Sequence, residues 1–520
     1  MDLGRSLTWT AERYPGRRAV GGRCPLTYAA WDAWTNQLAR ALAELGVRPK
    51  DRVLLSLGGG EPLASLHLAL QKLGAVSVPL SFRFSPSELA YCIGDAAPVL
   101  VVTDASTAQA ADKALAGLPP MLRVASGSSS DDTIERLASR QPSDALDVAV
   151  SDQDISVMLY TSGTTGKPKG VPRTHAAEHH ASVAHMLQSG HARFDTVLGV
   201  MPLFHTMGLR TLLASVIGAG TWVPQARFDA DEAMELITTE RVDTLYLVPT
   251  IYWSLLHTGR LSEAKSVRKL AYAGASMTTA LAEQLVDAVE PVSFVNHLGS
   301  TEIYTFTIGP DARAKPGSAG RAGVFSRVRL VDPLPGASPD DVVGPGEQGQ
   351  IAISMASPEA FAGYWQRPDA DAKSIRNGWY FPGDLATTDA DGDLWVAGRV
   401  DDMINSGGEN IYPDEIEDAL VRCDAVEEIV VVGLADDRWG QAATAFFVPA
   451  TGMAPERALA ELDSFARERS GLPSLKRPKR YVAVETIPKS AVGKLLRREL
   501  SAGTFSPLAD SAQASGQVGA

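Results

Sequence analysis

Short, unbroken apolar runs rich in Val, Leu and Ile recur through most of the chain: RVLLSL (52–57), AVSVPL (75–80), PVLVVT (98–103), TLYLVP (244–249) and KLAYAG (269–274). Between them lie stretches such as YAAWDAWTNQLARALAEL and PLASLHLALQKL, whose apolar residues fall at helical spacing. Continuous apolar strands alternating with amphipathic helices predict an α/β fold with sheets covered on both faces. Near residue 400 the texture changes. GRVDDMINSGGENIYP (398–413) is turn-rich, and the helix pattern PDEIEDALVRC, with Pro413 at its first position, follows it. Strand patterns EEIVVVGL and ATAFFVPA, a helix ALAELDSFARERSG and a strand RYVAVETI complete a small α+β domain. The division predicted is a large domain over 1–400, a small one over 401–503 and a polar tail, 504–520, without fixed structure.

Composition narrows the picture. The 520 residues exceed one ordinary core, and 45% hydrophobic with 21% charged residues is ordinary for a soluble globular protein. A net charge of −13 argues against a nucleic-acid partner, which would call for a basic excess. Cys24, Cys92 and Cys423 are far apart and odd in number, so neither a disulfide framework nor a metal-ligand spacing is expected. No signal-peptide pattern and no membrane-spanning apolar run occurs, so the expected location is the cytoplasm, with no membrane partner.

The chemistry starts at TSGTTGKPKG (161–170), which the strand pattern ISVMLY (155–160) enters directly. Glycines allow sharp turns and close approach, while Ser and Thr hydroxyls and lysines surround anionic oxygens. It is not a Walker loop, because only two residues separate Gly163 from Gly166-Lys167, and Pro168 disfavours a helix at Lys167. Lys169 is therefore the better phosphate-facing lysine.

YTSGTTGKPKGV resembles the signature of the adenylate-forming superfamily: acyl- and aryl-CoA ligases, peptide-synthetase adenylation domains and firefly luciferase. MPLFH (201–205), AGASM (273–277), HLGSTE (297–302), GWYFPGDLA (378–386), GRVDDMINSGGENIYPDEIE (398–417) and PKSAVGKLLRREL (488–500) match it in order. LADDRWGQ and LKRPKRY look most like segments of halobenzoate- and benzoate-type CoA ligases.

The resemblance implies an α/β enzyme whose small α+β C-terminal domain is mobile. It implies ATP, Mg²⁺ and coenzyme A as cofactors. Thr161, Ser162, Gly163, Thr164, Thr165, Gly166 and Lys169 correspond to the loop around the β- and γ-phosphates. Glu302, with Thr161, corresponds to the Mg²⁺ site, and Thr301 to the α-phosphate contact. Asp384 and Arg399 correspond to the ribose site, and Lys494 to the lysine bridging carboxylate and nucleotide during adenylation. Asp401 matches the hinge between domains; Gly407, Gly408 and Trp439 match the passage for the thiol arm. Arg83, Arg477 and Lys479 match the cations that receive the CoA phosphates.

By the same resemblance, His205, Thr206, Met207, Tyr246, Ala275, His297, Gly299, Tyr304 and Thr305 line the acid pocket, with His205 also among the catalytic residues. An aromatic gate, small residues and one flexible Met suit a flat, short acid. The pattern departs at Leu298, in place of the usual Tyr over the adenine, at Asn405, where many fatty acyl ligases carry Lys, and at His297, where aryl ligases often carry an aliphatic residue; Thr206, where dihydroxybenzoate-adenylating relatives carry Asn, counts against that substrate. The expected reaction is activation of an aromatic acid of benzoate type, an amino- or hydroxybenzoate such as anthranilate, followed by transfer to CoA. Its rivals are a short- or medium-chain acyl ligase, a stand-alone adenylase loading a carrier protein, and a nucleotide-binding protein that has lost catalysis. A homodimer is among the expected assemblies.

Overall fold

The computed structural model describes residues 2–127, 133–161, 167–309, 311–334, 336–406, 409–436, 438–474, 476–489 and 495–511. It divides into two compact units, 1–328 with 353–380 and 329–352 with 381–520.

In the first unit, the apolar runs read at 52–57, 75–80, 98–103 and 155–160 become β1 (Arg52–Ser56), β2 (Val76–Pro79), β3 (Leu100–Thr103) and β5 (Ile155–Thr161), joined by two strands not read in advance, β4 (Leu122–Ala125) and β6 (Lys169–Thr174). They form one sheet in the order β4-β3-β1-β2-β5-β6, parallel except for the antiparallel pair β5-β6. Core residues of β1 to β3 are buried on both faces, as parallel strands under helices require. Thr161 and Lys169 are cross-strand neighbours, so the chain passes from β5 through the Gly/Thr segment straight into a strand. No helix starts at Lys167, as Pro168 foretold.

After β6, Thr174 caps α1 (His175–Ser189) by accepting from the Ala177 N–H at 3.1 Å. A second sheet is built on β7 (Thr196–Gly199), β8 (Thr221–Pro224), β9 (Thr244–Leu247), β10 (Lys269–Ala273) and β11 (Ser293–Leu298), parallel in the order β8-β7-β9-β10-β11. Short strands at each edge extend it to nine. Between β7 and β8 runs α2 (Thr206–Ile217). Gly208 lets its first turn sit against the preceding bend, since a Cβ there would lie 2.2 Å from the Pro202 carbonyl.

In the second unit, β12 (Asp384–Thr388) pairs antiparallel with β13 (Leu394–Arg399). Beyond them come β14 (Ile404–Ser406), β15 (Glu409–Ile411), α3 (Pro413–Leu420), β16 (Val426–Asp436), β17 (Gly440–Pro449), α4 (Pro455–Glu468), β18 (Arg480–Val484) and β19 (Pro507–Asp510). Apolar residues of α3, α4 and the β16–β17 hairpin form one core there. The last strand corrects the expectation of an unstructured tail from 504. Residues 507–510 pair with β18, and Asp510, the one charge in that stretch, makes an ion pair with Arg480. Among the described residues no helix is long and apolar enough to cross a membrane.

Candidate active site

The first unit brings the phosphate strand and the HLGSTE acid together. Glu302 is 6% exposed, and its Oε1 accepts a hydrogen bond from the Tyr364 hydroxyl at 2.6 Å. The Lys169 ammonium lies 4.1 Å from the centre of the Tyr364 ring. Burial lowers the lysine's pKa, and the negative charge of Glu302 opposes that shift. Burial and the same carboxylate raise the Tyr364 phenol, which keeps it a donor. The segment around Tyr364 is tied at both ends: the Phe361 N–H donates to the Glu302 carbonyl at 2.8 Å, and the Trp365 N–H to the Gly170 carbonyl at 2.9 Å. Ser162, Gly163, Thr164, Thr165 and Gly166 lie outside the described residues.

Beneath Glu302 runs a buried polar layer. Arg173 donates through Nη1 to the carbonyls of Thr301 (3.2 Å), Glu302 (3.2 Å) and Glu359 (2.9 Å). Its Nε pairs with Glu178, whose other oxygen accepts from the Tyr304 hydroxyl at 3.1 Å. The guanidinium lies 3.7 Å from the Tyr304 ring centre.

The residues expected to line the acid pocket fall on the ends of α2, β9 and β11. His205 caps α2, its Nδ1 accepting from the Met207 N–H at 3.3 Å. Thr206, Met207, Tyr246, His297, Tyr304 and Thr305 are buried; Ala275 and Gly299 are exposed. Gly299 is there because a Cβ would sit 2.0 Å from the Tyr304 carbonyl. Leu298 is half-buried. The Tyr246 and His297 rings stand 5.3 Å apart, and His185 packs against them at 4.7 and 5.4 Å. Arg210 joins this group from α2, with hydrogen bonds to His297, Tyr246 and the Tyr304 carbonyl.

Arg173, Glu178, His185, Arg210, Glu359 and Tyr364 were not anticipated from the sequence. Arg210 alone carried a signal: it is a lone cation in the apolar helix TMGLRTLLASVI, one turn beyond Thr206.

The second unit holds the other groups. Arg399 Nη1 donates to Asp384 at 2.7 Å across the β12–β13 pair, and its Nη2 to the Pro382 carbonyl at 2.8 Å. Gly383 just before has φ +87°, open to glycine at no steric cost. Asp401 sits in the short turn Val400–Asp402. Trp439 has the Lys479 ammonium 5.6 Å and the Arg438 guanidinium 4.7 Å from ring centres. Arg477 is spent on the Leu472 carbonyl at 2.9 Å. Arg83 belongs to the first unit, where it and Arg227 flank Phe82 at 5.5 and 5.2 Å. Gly407, Gly408 and Lys494 lie outside the described residues. Close to Lys494 in sequence, Arg497 pairs with Asp414 and, at 2.7 Å, with Glu417. Burial raises the Glu417 carboxyl to about 8 despite that arginine.

The family model described as AMP-binding enzyme matches residues 7–365. The chain belongs to this family. The model for the AMP-binding enzyme C-terminal domain matches residues 415–494. Among curated relatives of this AMP-binding enzyme, a feruloyl-CoA synthase of Amycolatopsis is 34% identical, over 92% of this chain and 94% of its own. A long-chain-fatty-acid–CoA ligase of Mycobacterium tuberculosis is 32% identical, over 91% and 92%. Among solved structures, the o-succinylbenzoate CoA synthetase of Bacillus subtilis, in complex with its acyl-adenylate, superposes with a TM-score of 0.83 at 27% identity, over 96% and 98%.

This AMP-binding enzyme is thus an adenylate-forming acid–thiol ligase that uses ATP, Mg²⁺ and coenzyme A. Its residues fit the metal: a buried carboxylate at Glu302 and a strand-end hydroxyl at Thr161 are hard oxygen donors of the kind Mg²⁺ takes.

Proposed function

We propose that the enzyme activates an aromatic carboxylic acid of benzoate type, amino- or hydroxybenzoates included, and passes it to coenzyme A. The acid's oxygen attacks the α-phosphorus of ATP and pyrophosphate leaves; the CoA sulfur then attacks the acyl carbon and AMP leaves. Both steps need charge held in place more than a strong base. Lys169 and the Gly/Thr segment take the departing phosphates, while Thr301 faces the α-phosphate. Glu302 and Thr161 would hold Mg²⁺, which when bound offsets the phosphate charge. Asp384 and Arg399 take the ribose, and Lys494 steadies the carboxylate against the nucleotide. The small domain, from about Asp401 on, then turns to admit the thiol arm past Gly407, Gly408 and Trp439. We place the enzyme in the cytoplasm.

The observation that carries the aromatic reading is the packed group of rings His185 on α1, Tyr246 on β9 and His297 on β11, which suits a flat acid. The fatty-acid ligase among the relatives keeps an aliphatic acid as the second reading. Pyrophosphate release with substituted benzoates and with alkanoates separates the two. Thioester formation on adding CoA then separates a CoA ligase from an adenylase that loads a carrier protein. Lys494→Ala should block adenylation and leave thioester formation from supplied acyl-adenylate; equal loss of both steps sinks the role given to that lysine.

A further inference from the structure

Arg210 is 1% exposed, and among the described residues its hydrogen bonds run to neutral acceptors. Nη1 donates to His297 Nδ1 at 3.2 Å and to the Tyr246 hydroxyl at 3.4 Å; Nη2 donates to the Tyr304 carbonyl. A guanidinium only donates, so His297 Nδ1 must be the accepting nitrogen of a neutral ring, with its proton on Nε2. Burial, with the Arg210 charge, keeps that histidine well below its ordinary pKa. This leaves two N–H donors on touching side chains, Arg210 Nε and His297 Nε2, without an acceptor among the described residues.

The charged groups around them do not fill the gap. Glu178 is taken by Arg173 and Tyr304. Among the described residues Glu359 is the other carboxylate that acts on Arg210; burial raises its pKa and Arg210 opposes that, but its two oxygens are buried without a hydrogen-bond partner and neither pairs with Arg210. His185 packs on the same rings and is itself held neutral by burial. Buried N–H groups left unpaired are costly, so this arrangement calls for an acceptor that arrives with the ligand.

Resting on the reading that Thr206, Met207, Tyr246, His297 and Tyr304 line the acid pocket, we infer that Arg210 and His297 form the far wall of that pocket and select an aromatic acid bearing a hydrogen-bond-accepting oxygen on the ring, remote from the reacting carboxylate. A ring hydroxyl, methoxy or second carboxylate would supply the acceptor that these donors lack. An amino group turns N–H donors towards donors and offers only a weak lone pair, so an aminobenzoate is admitted but ranks below an oxygen-bearing ring. An alkyl tail meets neither, and a site built around buried polar groups rejects an analogue that cannot pair them. Arg210 is therefore a specificity residue that the acid touches at its far end.

The test is pyrophosphate release with benzoate, 3- and 4-hydroxybenzoate, 4-methoxybenzoate, terephthalate, 4-aminobenzoate and octanoate, on the wild-type chain, Arg210→Met and Arg210→Lys. In the wild type an oxygen-bearing ring should exceed benzoate, aminobenzoate and octanoate in kcat/KM. Arg210→Met should cut the ratio of oxygen-substituted acid to benzoate by about tenfold or more, through KM, with Arg210→Lys between. Equilibrium binding of the same acids, read by titration calorimetry, should show the same ordering. The three oxygen substituents are separate arms, and the best of them names the group. Equal loss across all acids in both variants would make Arg210 a purely structural residue and overturn the inference, as would a wild type that prefers octanoate or aminobenzoate. If no acid of either kind releases pyrophosphate, the ligase reading itself falls, and that result differs from a flat substituent profile on an active enzyme.

Discussion

The Tyr364 hydroxyl donates to Glu302 Oε1 at 2.6 Å while the Lys169 ammonium rests 4.1 Å from the same ring. One side chain thus touches both the acid assigned to the metal and the lysine assigned to the phosphates. Tyr364→Phe removes the hydrogen bond and keeps the ring. The Mg²⁺ concentration giving half-maximal pyrophosphate release should rise about tenfold, with the maximal rate at saturating Mg²⁺ changed less. Tyr364→Leu, which loses the ring as well, should also raise KM for ATP. A Phe variant with an unchanged Mg²⁺ requirement would remove Tyr364 from that role.

Arg173 is fully buried and holds the carbonyls of Thr301 and Glu302 while pairing with Glu178. Arg173→Met leaves Glu178 buried without its partner, at a cost of about 3–5 kcal/mol in urea unfolding. Adding Glu178→Gln should recover part of that loss. If the double variant is no more stable than the single, the ion pair is not the reason for the damage.

Asp384 and Arg399 face each other across the β12–β13 pair at 2.7 Å. With a ribose bound there, wild-type enzyme should prefer ATP to 2′-deoxy-ATP, and Asp384→Ala should reduce that preference by about tenfold. Full retention of the preference in competition assays would place the sugar elsewhere.

Burial lowers the His67 pKa to about 3 and that of His175 to about 4, from an ordinary 6.5. His175 Nδ1 accepts the Leu3 N–H at 3.2 Å, so its neutral form secures the start of the N-terminal helix Leu3–Arg13. The folded state binds fewer protons than the unfolded state between those values and 6.5. Stability is therefore full above about pH 6.5 and falls on acidification by about 1.4 kcal/mol per pH unit for each histidine, until the folded pKa is reached. Urea midpoints measured down to about pH 5 should fall accordingly, and His67→Gln should flatten the slope. A slope unaltered by that change would assign the acid sensitivity to other groups.

What could be read in advance follows chemical range. Strand β5 and the lack of a helix at Lys167 were legible because an apolar run and Pro168 both act locally. The Asp384–Arg399 pair was legible as two motifs, though their contact needs the antiparallel pairing of β12 with β13. Tyr364 was not legible, because its partner Glu302 is 62 residues away and a tyrosine has many ordinary places in a core. The tail was misjudged from its small, polar composition. Strand pairing between β18 and β19 and one ion pair outweighed that composition.

The antiparallel turn at Lys169 bears on product escape. A phosphate docked on a helix N-terminus is held by aligned peptide dipoles as well as by side chains. Here Lys169 opens a strand, and among the described residues no helix begins there to aim such a dipole. On the role proposed for Lys169, an anion held by its half-buried ammonium is open to screening by salt and departs readily. That suits a group the first half-reaction must discard before the acyl group can move on.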